Sequence, residues 1–323
     1  MFDPISLLAL AASSIVGGGY LVLIDENAKA WRKIEEAEVY ARTQQRLADG
    51  ERLENEIRRL ELEVEAGRLR TFRELGVPPD RDISCEDIRA ARTEVGYEAD
   101  CRNIVMVGNR GAGKSTIINC LRGLGPRDSN LAEVGEVNTT LECRKYNDLV
   151  TKGGKQIVLY DMPGAGVTSC TAWDYYYSKK LYCFDTVVIA HETTLTESDV
   201  RLRRLCSLRG QQCVLVRTKA DQHIDNISYR KQLSMAAARK DYMNQVHQDV
   251  DKFNELDSAR GPGELRVEIK DHLVNQRTLL WQVTQTLRSD RSWEPPAGDQ
   301  YQVIDEASLL QQLGIMSEKI KKS

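Results

Sequence analysis

Short apolar runs alternate with longer amphipathic stretches from residue 103 onward, in the pattern that predicts strands separated by helices. The clearest apolar runs, each short enough for a buried strand, are 103–107, 156–160, 186–190 and 212–217. Amphipathic periodicity follows the first run at 117–124 and the third at 195–209. Strands that alternate with helices in this way predict an α/β domain with a mostly parallel sheet flanked by helices.

The chain after residue 222 predicts two more helices and a last strand. Amphipathic patterns cover 228–256 and 264–288. We interpret the first as part of a helical insertion around 223–262 and the second as a helix on the sheet. The residues of this second helix that are expected to face the core are Leu273, Leu280, Val283 and Leu287. The segment 301–305, Tyr-Gln-Val-Ile-Asp, predicts the last strand.

Two different segments precede the α/β domain, which is expected to cover 80–323. Residues 4–24 contain no charged side chain and would measure about 31 Å as a helix, close to the hydrocarbon thickness of a bilayer. The segment 1–25 therefore predicts a membrane anchor, with packing against the protein's own core as the alternative. The segment 26–76 is highly charged and predicts an amphipathic or coiled-coil helix. Its apolar positions at helical spacing are Leu53, Ile57, Leu60 and Val64.

Charge and cysteine content narrow the classes of function. Lys and Arg number 45 against 48 Asp and Glu, so the chain lacks the basic field that non-specific nucleic-acid binding needs. Nucleic acid is therefore not an expected partner. The eight cysteines form no C-x-x-C pair and no zinc-finger spacing with the four histidines, which predicts reduced thiols in a cytosolic environment.

The strongest chemical signal is a glycine-rich loop between the first predicted strand and its helix, which fits the GxxxxGKS pattern. Glycines let successive backbone N–H groups face phosphate oxygens at the N-terminus of a helix. Lys114 is expected to reach the β and γ phosphates, and Ser115 to ligate Mg²⁺. The residues expected to bind the nucleotide here are Gly108, Asn109, Arg110, Gly111, Ala112, Gly113, Lys114, Ser115 and Thr116.

A second loop follows the strand at 156–160 and reads Asp-Met-Pro-Gly. Asp161 is expected to hold Mg²⁺ through water, and the Gly164 amide to meet the γ-phosphate. A threonine that contacts Mg²⁺ and the γ-phosphate is expected between the two loops. Thr140 is preferred over Thr139, although both begin an expected edge strand at 140–146, where threonine is also a common strand former. Lys114, Thr140 and Gly164 are the expected catalytic residues, and Ser115, Thr140 and Asp161 the expected metal ligands.

A third loop indicates which base binds. The strand at 212–217 leads into a Thr-Lys-x-Asp motif, with Thr218, Lys219 and Asp221 as the expected nucleotide contacts. The carboxylate can accept hydrogen bonds from guanine N1 and from the exocyclic amine that adenine lacks. Because ligands bind at the carboxyl ends of parallel strands, the three loops predict one site for GTP or GDP with Mg²⁺.

Two residues outside these loops complete the predictions for the site. Ala307 is expected to contact the base because it follows the last predicted strand. His191 ends the strand at 186–190 and is expected to be structural, since attack by water on a phosphate needs a positioned water molecule more than a strong base.

These motifs resemble those of the immunity-related GTPases, a dynamin-like, interferon-inducible group. The residues that carry the resemblance are Thr139 and Thr140 with Tyr146, the run Asp161-Met-Pro-Gly-Ala-Gly166, the aromatic run Trp173 to Tyr177, and Val216 to Asp221. The resemblance is good over 103–221 and weaker up to about 305. It implies a P-loop GTPase domain preceded by helices, binding to intracellular membranes, and self-assembly with GTP.

The expected function is hydrolysis of GTP to GDP and phosphate at the cytoplasmic face of an intracellular membrane, or in the cytosol. Isolated molecules are expected to hydrolyse GTP slowly, because Ala165 stands where Ras-like GTPases have the Gln that orients water. The resemblance implies that self-assembly through the nucleotide face completes the site and activates it. The alternative is a nucleotide-gated membrane scaffold that hydrolyses negligible amounts of GTP.

Overall fold

The computed structural model describes residues 29, 32–34, 36, 50–78, 83–132, 143–164, 171–261, 264–287, 296–298 and 301–316. The hydrophobic segment 4–24, Thr139, Thr140 and Ala165 lie outside these residues. Within the predicted helix at 26–76, residues 29, 32–34 and 36 are helical, and α1 covers Gly50–Leu75. None of the helices in the described part of the chain is long and apolar enough to cross a membrane.

A six-stranded sheet forms the centre of the domain and confirms the predicted α/β class. Its strands are β1 (Arg102–Val107), β2 (Arg144–Val150), β3 (Gln156–Asp161), β4 (Thr186–His191), β5 (Gln212–Arg217) and β6 (Asp271–Leu273). The order across the sheet is β2-β3-β1-β4-β5-β6, and only the β2–β3 pair is antiparallel. The carboxyl ends of five parallel strands therefore lie at one edge, where a ligand site is expected.

Helices cover both faces of the sheet. They are α2 (Cys85–Val95), α3 (Lys114–Leu121), α4 (Ala172–Ser178), α5 (Glu197–Leu208), α6 (Ala220–Lys231), α7 (Met235–Ser258), α8 (Gln276–Leu287) and α9 (Glu306–Gln312). Successive residues of β1 alternate between the two faces: Val105 and Val107 pack with α2, α4 and α5, whereas Ile104 and Met106 pack with α3, α8 and α9. The long helix α1 packs on α5.

The structure corrects the prediction for the end of the domain. The sixth strand is Asp271–Leu273, inside the stretch that predicted one helix over 264–288, and that helix begins only at Gln276. Leu273 is buried as expected, but as a strand residue between β5 and the helix pair α6–α7. No strand is present at 301–305; these residues form a short turn before α9.

Candidate nucleotide-binding site

The glycine-rich loop joins β1 to α3 and is shaped by three glycines with positive φ: Gly108 at 133°, Gly111 at 77° and Gly113 at 84°. L-residues with a side chain avoid such angles. At Gly108 a Cβ atom would also lie 2.0 Å from the carbonyl oxygen of Ala190, at the end of β4. The first glycine is therefore required both by its backbone angle and by its packing against the neighbouring strand.

Lys114 begins α3 and folds back over this loop. Its ammonium group donates to the carbonyl oxygens of Gly108, at 3.2 Å, and Asn109, at 3.0 Å, and the residue is only 8% exposed. Burial lowers the pKa of Lys114, while the negative charge of Asp161 opposes that effect. The loop thus places the Lys114 ammonium group at the N-terminus of a helix. A cation together with backbone N–H groups in this position is the chemistry that binds phosphate.

Ser115 and Asp161 meet beside the loop, as predicted for a metal site. The Ser115 hydroxyl donates to Asp161 Oδ2 at 2.6 Å, and Asp161 Oδ1 is buried without a hydrogen-bond partner in the described part of the chain. Burial raises the pKa of Asp161, against the Ser115 hydrogen bond and the charges of Lys114 and Arg144. A buried carboxylate oxygen without a partner is costly, so Ser115 and Asp161 fit Mg²⁺, a cation that prefers oxygen ligands.

A metal ion here would need ligands beyond Ser115 and Asp161. Among the described residues, no group of three or more His, Cys, Asp or Glu side chains could hold a metal ion. Mg²⁺ characteristically combines one or two protein oxygens with waters and the phosphates of its nucleotide. Ser115 and Asp161 therefore fit the donor set of a Mg²⁺ ion that is bound together with a nucleotide.

Gly164 lies directly against the phosphate loop. A Cβ atom at this glycine would lie 3.0 Å from the backbone nitrogen of Arg110 and 3.3 Å from the ammonium nitrogen of Lys114. The second predicted loop therefore meets the first one, as a shared phosphate site requires. Thr140, the third residue predicted to act at the γ-phosphate, lies outside the described residues.

Replacing Gly164 with alanine is expected to lower the affinity for a non-hydrolysable GTP analogue about fivefold and that for GDP less than about twofold. The added methyl group would hold this loop away from the Lys114 ammonium, where the γ-phosphate is expected to bind. Displacement of a fluorescent guanine nucleotide measures both affinities. Gly153→Ala is the control, because its Cβ would meet nothing nearer than 3.9 Å. Equal losses for both nucleotides would contradict a role at the γ-phosphate.

The Thr-Lys-x-Asp loop after β5 is bonded to the phosphate loop. The Thr218 hydroxyl donates to the carbonyl oxygen of Ala112 at 3.1 Å, and a Cβ at Gly113 would contact Thr218 at 3.5 Å. Lys219 has a φ of 57°, and its ammonium donates to Glu192 at 2.6 Å. Asp221 is half-buried in the first turn of α6. The three predicted loops are thus brought together at the carboxyl edge of the sheet.

A fourth loop, which was not predicted from the sequence, lies beside this one. Val274 follows β6; its amide donates to the Arg217 carbonyl at 2.9 Å, and its own carbonyl accepts from the amide of Ala220 at 3.3 Å. Asn275 then caps α8 by accepting from the amide of Thr278 at 3.0 Å. The signal was a short apolar run followed by a capping asparagine.

Ala307 does not belong to this fourth loop. It lies in the first turn of α9, and the preceding Glu306 is fully buried, where it accepts hydrogen bonds from the amide of Asn275, at 3.2 Å, and from the hydroxyl of Thr278. The expected contact between Ala307 and the base was based on a strand at 301–305, so it has no support from the fold.

The sheet order, the glycine-rich loop and the loops beside it define a P-loop GTPase domain by fold. Residues 95–254 match the family model of interferon-inducible GTPases (IIGP). The resemblance to the immunity-related GTPases is therefore confirmed for this part of the chain.

Named relatives match the same region. T-cell-specific guanine nucleotide triphosphate-binding protein 2 of Mus musculus is 33% identical over 124 residues, which are 38% of this chain and 29% of the relative. Interferon-gamma-inducible GTPase 10 of Mus musculus is 31% identical over 48% of this chain and 37% of its own length. The matched segment thus spans about a third of these relatives. Among solved structures, Toc33 from Arabidopsis thaliana is 16% identical over 59% of this chain and 78% of its own, with a TM-score of 0.38.

Proposed function

We propose that this protein binds GTP with Mg²⁺ and hydrolyses it to GDP and phosphate. The observation that carries the proposal is the hydrogen bond between Thr218 and Ala112, because it joins a phosphate-binding loop to a Thr-Lys-x-Asp loop in one site. The phosphate-binding loop alone does not distinguish GTP from ATP, whereas Asp221 of the second loop can select guanine. The names of the mouse relatives, which describe GTPases and a guanine nucleotide triphosphate-binding protein, support the same proposal.

Each loop has a separate role in this proposal. Lys114 and the backbone amides of its loop bind the β and γ phosphates. Ser115 and Asp161 hold Mg²⁺, which neutralises phosphate charge when it is bound. Gly164 meets the γ-phosphate, and Asp221 accepts hydrogen bonds from the guanine base.

Release of phosphate by the purified protein tests hydrolysis directly. With Mg²⁺ present, GTP is expected to be turned over and ATP is not. Binding of GTP without release of phosphate would instead support the alternative function, a nucleotide-gated scaffold. In that case, GTP would act only by ordering the segments around Thr140 and Gly164 for a partner.

The specific activity is expected to rise with protein concentration over an about hundredfold dilution series at saturating GTP and Mg²⁺. Ala165 has no side-chain group that could orient the attacking water, so a partner subunit docked on the nucleotide face would have to complete the site. The same series measured by light scattering with GDP is the control and should show no assembly. A flat, already rapid rate would contradict self-activation.

Deleting residues 4–24 is expected to move the protein from an alkali-resistant membrane fraction to the soluble fraction. This segment has no charged residue and is long enough to insert into a bilayer at the cytoplasmic face of an intracellular membrane. Lys114→Ala is the control, since it leaves the segment intact and should remain in the membrane fraction. A full-length protein that is monodisperse without detergent would contradict the anchor.

A further inference from the structure

Three buried titratable side chains meet beneath the base-binding loop, residues 218–221, and have no role in the proposed function. They are His191 at the end of β4, Arg217 at the end of β5 and Asp271 at the start of β6, and each is at most 8% exposed. His191 Nε2 lies 2.7 Å from Asp271 Oδ1, and Arg217 Nε donates to Asp271 Oδ2 at 2.9 Å. One carboxylate therefore joins three neighbouring strands.

The orientation of the His191 ring is fixed from both sides. Its Nδ1 lies 2.7 Å from the carbonyl oxygen of Thr193, while Nε2 faces Asp271. Burial alone would raise the pKa of Asp271, but the hydrogen bonds and charges of His191 and Arg217 outweigh that effect and lower it. Asp271 is thus held in its ionised form, in which both of its oxygens accept hydrogen bonds.

The same residues hold the backbone of the base-binding loop. The carbonyl oxygen of His191 accepts from the amide of Thr218 at 2.8 Å. The carbonyl oxygen of Arg217 accepts from the amide of Val274 at 2.9 Å. Thr218 follows Arg217 directly, so the first residue of the loop is fixed from β4 and from the segment after β6.

We propose that His191 and Asp271 are positioning residues that set the base selectivity of the site by fixing where the loop 218–221 begins. This inference depends on the proposed binding of guanine nucleotides, because selectivity has meaning only if Asp221 meets the base. A buried cluster of ionisable groups is costly compared with apolar packing, and its place beside the carboxyl ends of β4 and β5 puts it next to the edge of the sheet where ligands bind.

The chain offers a matched control for this cluster. Asp257 on α7 is also buried; it accepts from Arg204 of α5 and, at 2.6 Å, from the amide of Val267. Asp257 therefore joins α5 and α7 to the segment before β6, and its partners differ from those of Asp271. Asp257→Asn therefore removes a buried carboxylate of the same kind without changing the contacts of Thr218.

The test compares the binding of GDP and of inosine diphosphate, which lacks the exocyclic amine, by calorimetry. The unmodified protein is expected to prefer GDP about tenfold, since a hydrogen bond to a charged group is among the stronger ones. Asp271→Asn leaves one partner without an acceptor, and the preference is expected to fall below about threefold. Asp257→Asn should keep the full preference. His191→Phe is the second variant, used if Asp271→Asn does not fold.

The outcomes separate this inference from the function on which it depends. A lost preference in Asp271→Asn or His191→Phe, with the preference retained in Asp257→Asn, supports positioning by the cluster. A retained preference in the cluster variants, or an equal loss in Asp257→Asn, overturns it while leaving guanine binding intact. If the unmodified protein does not prefer GDP, the proposed function fails and this inference fails with it.

Discussion

Replacing Lys114 with alanine is expected to weaken the binding of GTP about hundredfold. The ammonium of Lys114 is held within the phosphate loop by the carbonyl oxygens of Gly108 and Asn109, so it is already placed where the β and γ phosphates are proposed to bind. Charge-assisted hydrogen bonds contribute about 1.5 to 3 kcal/mol each, and two of them at the lower end of that range account for about a hundredfold in affinity. An alanine side chain can form neither of these hydrogen bonds.

Calorimetric titration with GTP and Mg²⁺ measures this loss. Lys152→Ala is the matched control, because it removes the same charge from an exposed position in the turn between β2 and β3. The control is expected to bind GTP like the unmodified protein. Unchanged affinity in Lys114→Ala would contradict the assignment of residues 108–115 as the phosphate loop.

Replacing Asp221 with asparagine is expected to weaken GTP binding about hundredfold and to make xanthosine triphosphate the preferred nucleotide. In the proposed site the carboxylate accepts from guanine N1 and from the exocyclic amine. An asparagine amide can instead donate to the carbonyl that xanthine has in place of that amine. The change should therefore alter the choice of base more than it alters binding of the phosphates.

Competition between the two triphosphates for the same site measures the change of preference. Asp249→Asn is the control, since it removes a carboxylate from an exposed position on α7. It should leave the preference for GTP unchanged. If Asp221→Asn also retains that preference, Asp221 is not the residue that reads the base.

Local signals explain why most of the sheet and the phosphate loop could be predicted from the sequence. The strands β1, β3, β4 and β5 are buried on both faces, so each is a nearly continuous apolar run. The phosphate loop depends on glycines at fixed spacing, because positive φ angles and the close approach of Gly108 to Ala190 exclude other residues. Such requirements act on residues that are close together in the sequence, so a local pattern is enough to predict them.

The last strand could not be predicted because it is short and begins with a charge. β6 has only three residues, and Asp271 interrupts the apolar run that a longer buried strand would show. The apolar positions around it also fit helical spacing, so one helix was predicted over 264–288. Within 301–305, Ile304 is apolar because it packs at the α6–α7 cluster, and Asp305 accepts from the amide of Leu273 at 3.0 Å.

The buried cluster beneath the base-binding loop also could not be predicted from sequence patterns. His191, Arg217 and Asp271 come from three strands and are separated by 26 and 54 residues. Only the sheet order, with β5 between β4 and β6, brings them together. The expectation that His191 is structural agrees with its burial and hydrogen bonds, but the carboxylate that it contacts could not be foreseen.

Displacement of a fluorescent guanine nucleotide from the purified protein tests the central claim, that the loops around Lys114, Asp161 and Asp221 form one guanine-nucleotide site. In the presence of Mg²⁺, unlabelled GTP and GDP are expected to displace the probe at low concentrations, whereas a large excess of ATP leaves it bound. Chelation of Mg²⁺ should weaken competition by GTP, because Ser115 and Asp161 then lack the cation that they share with the phosphates. Displacement by ATP as readily as by GTP, or no binding of the probe, would contradict the account.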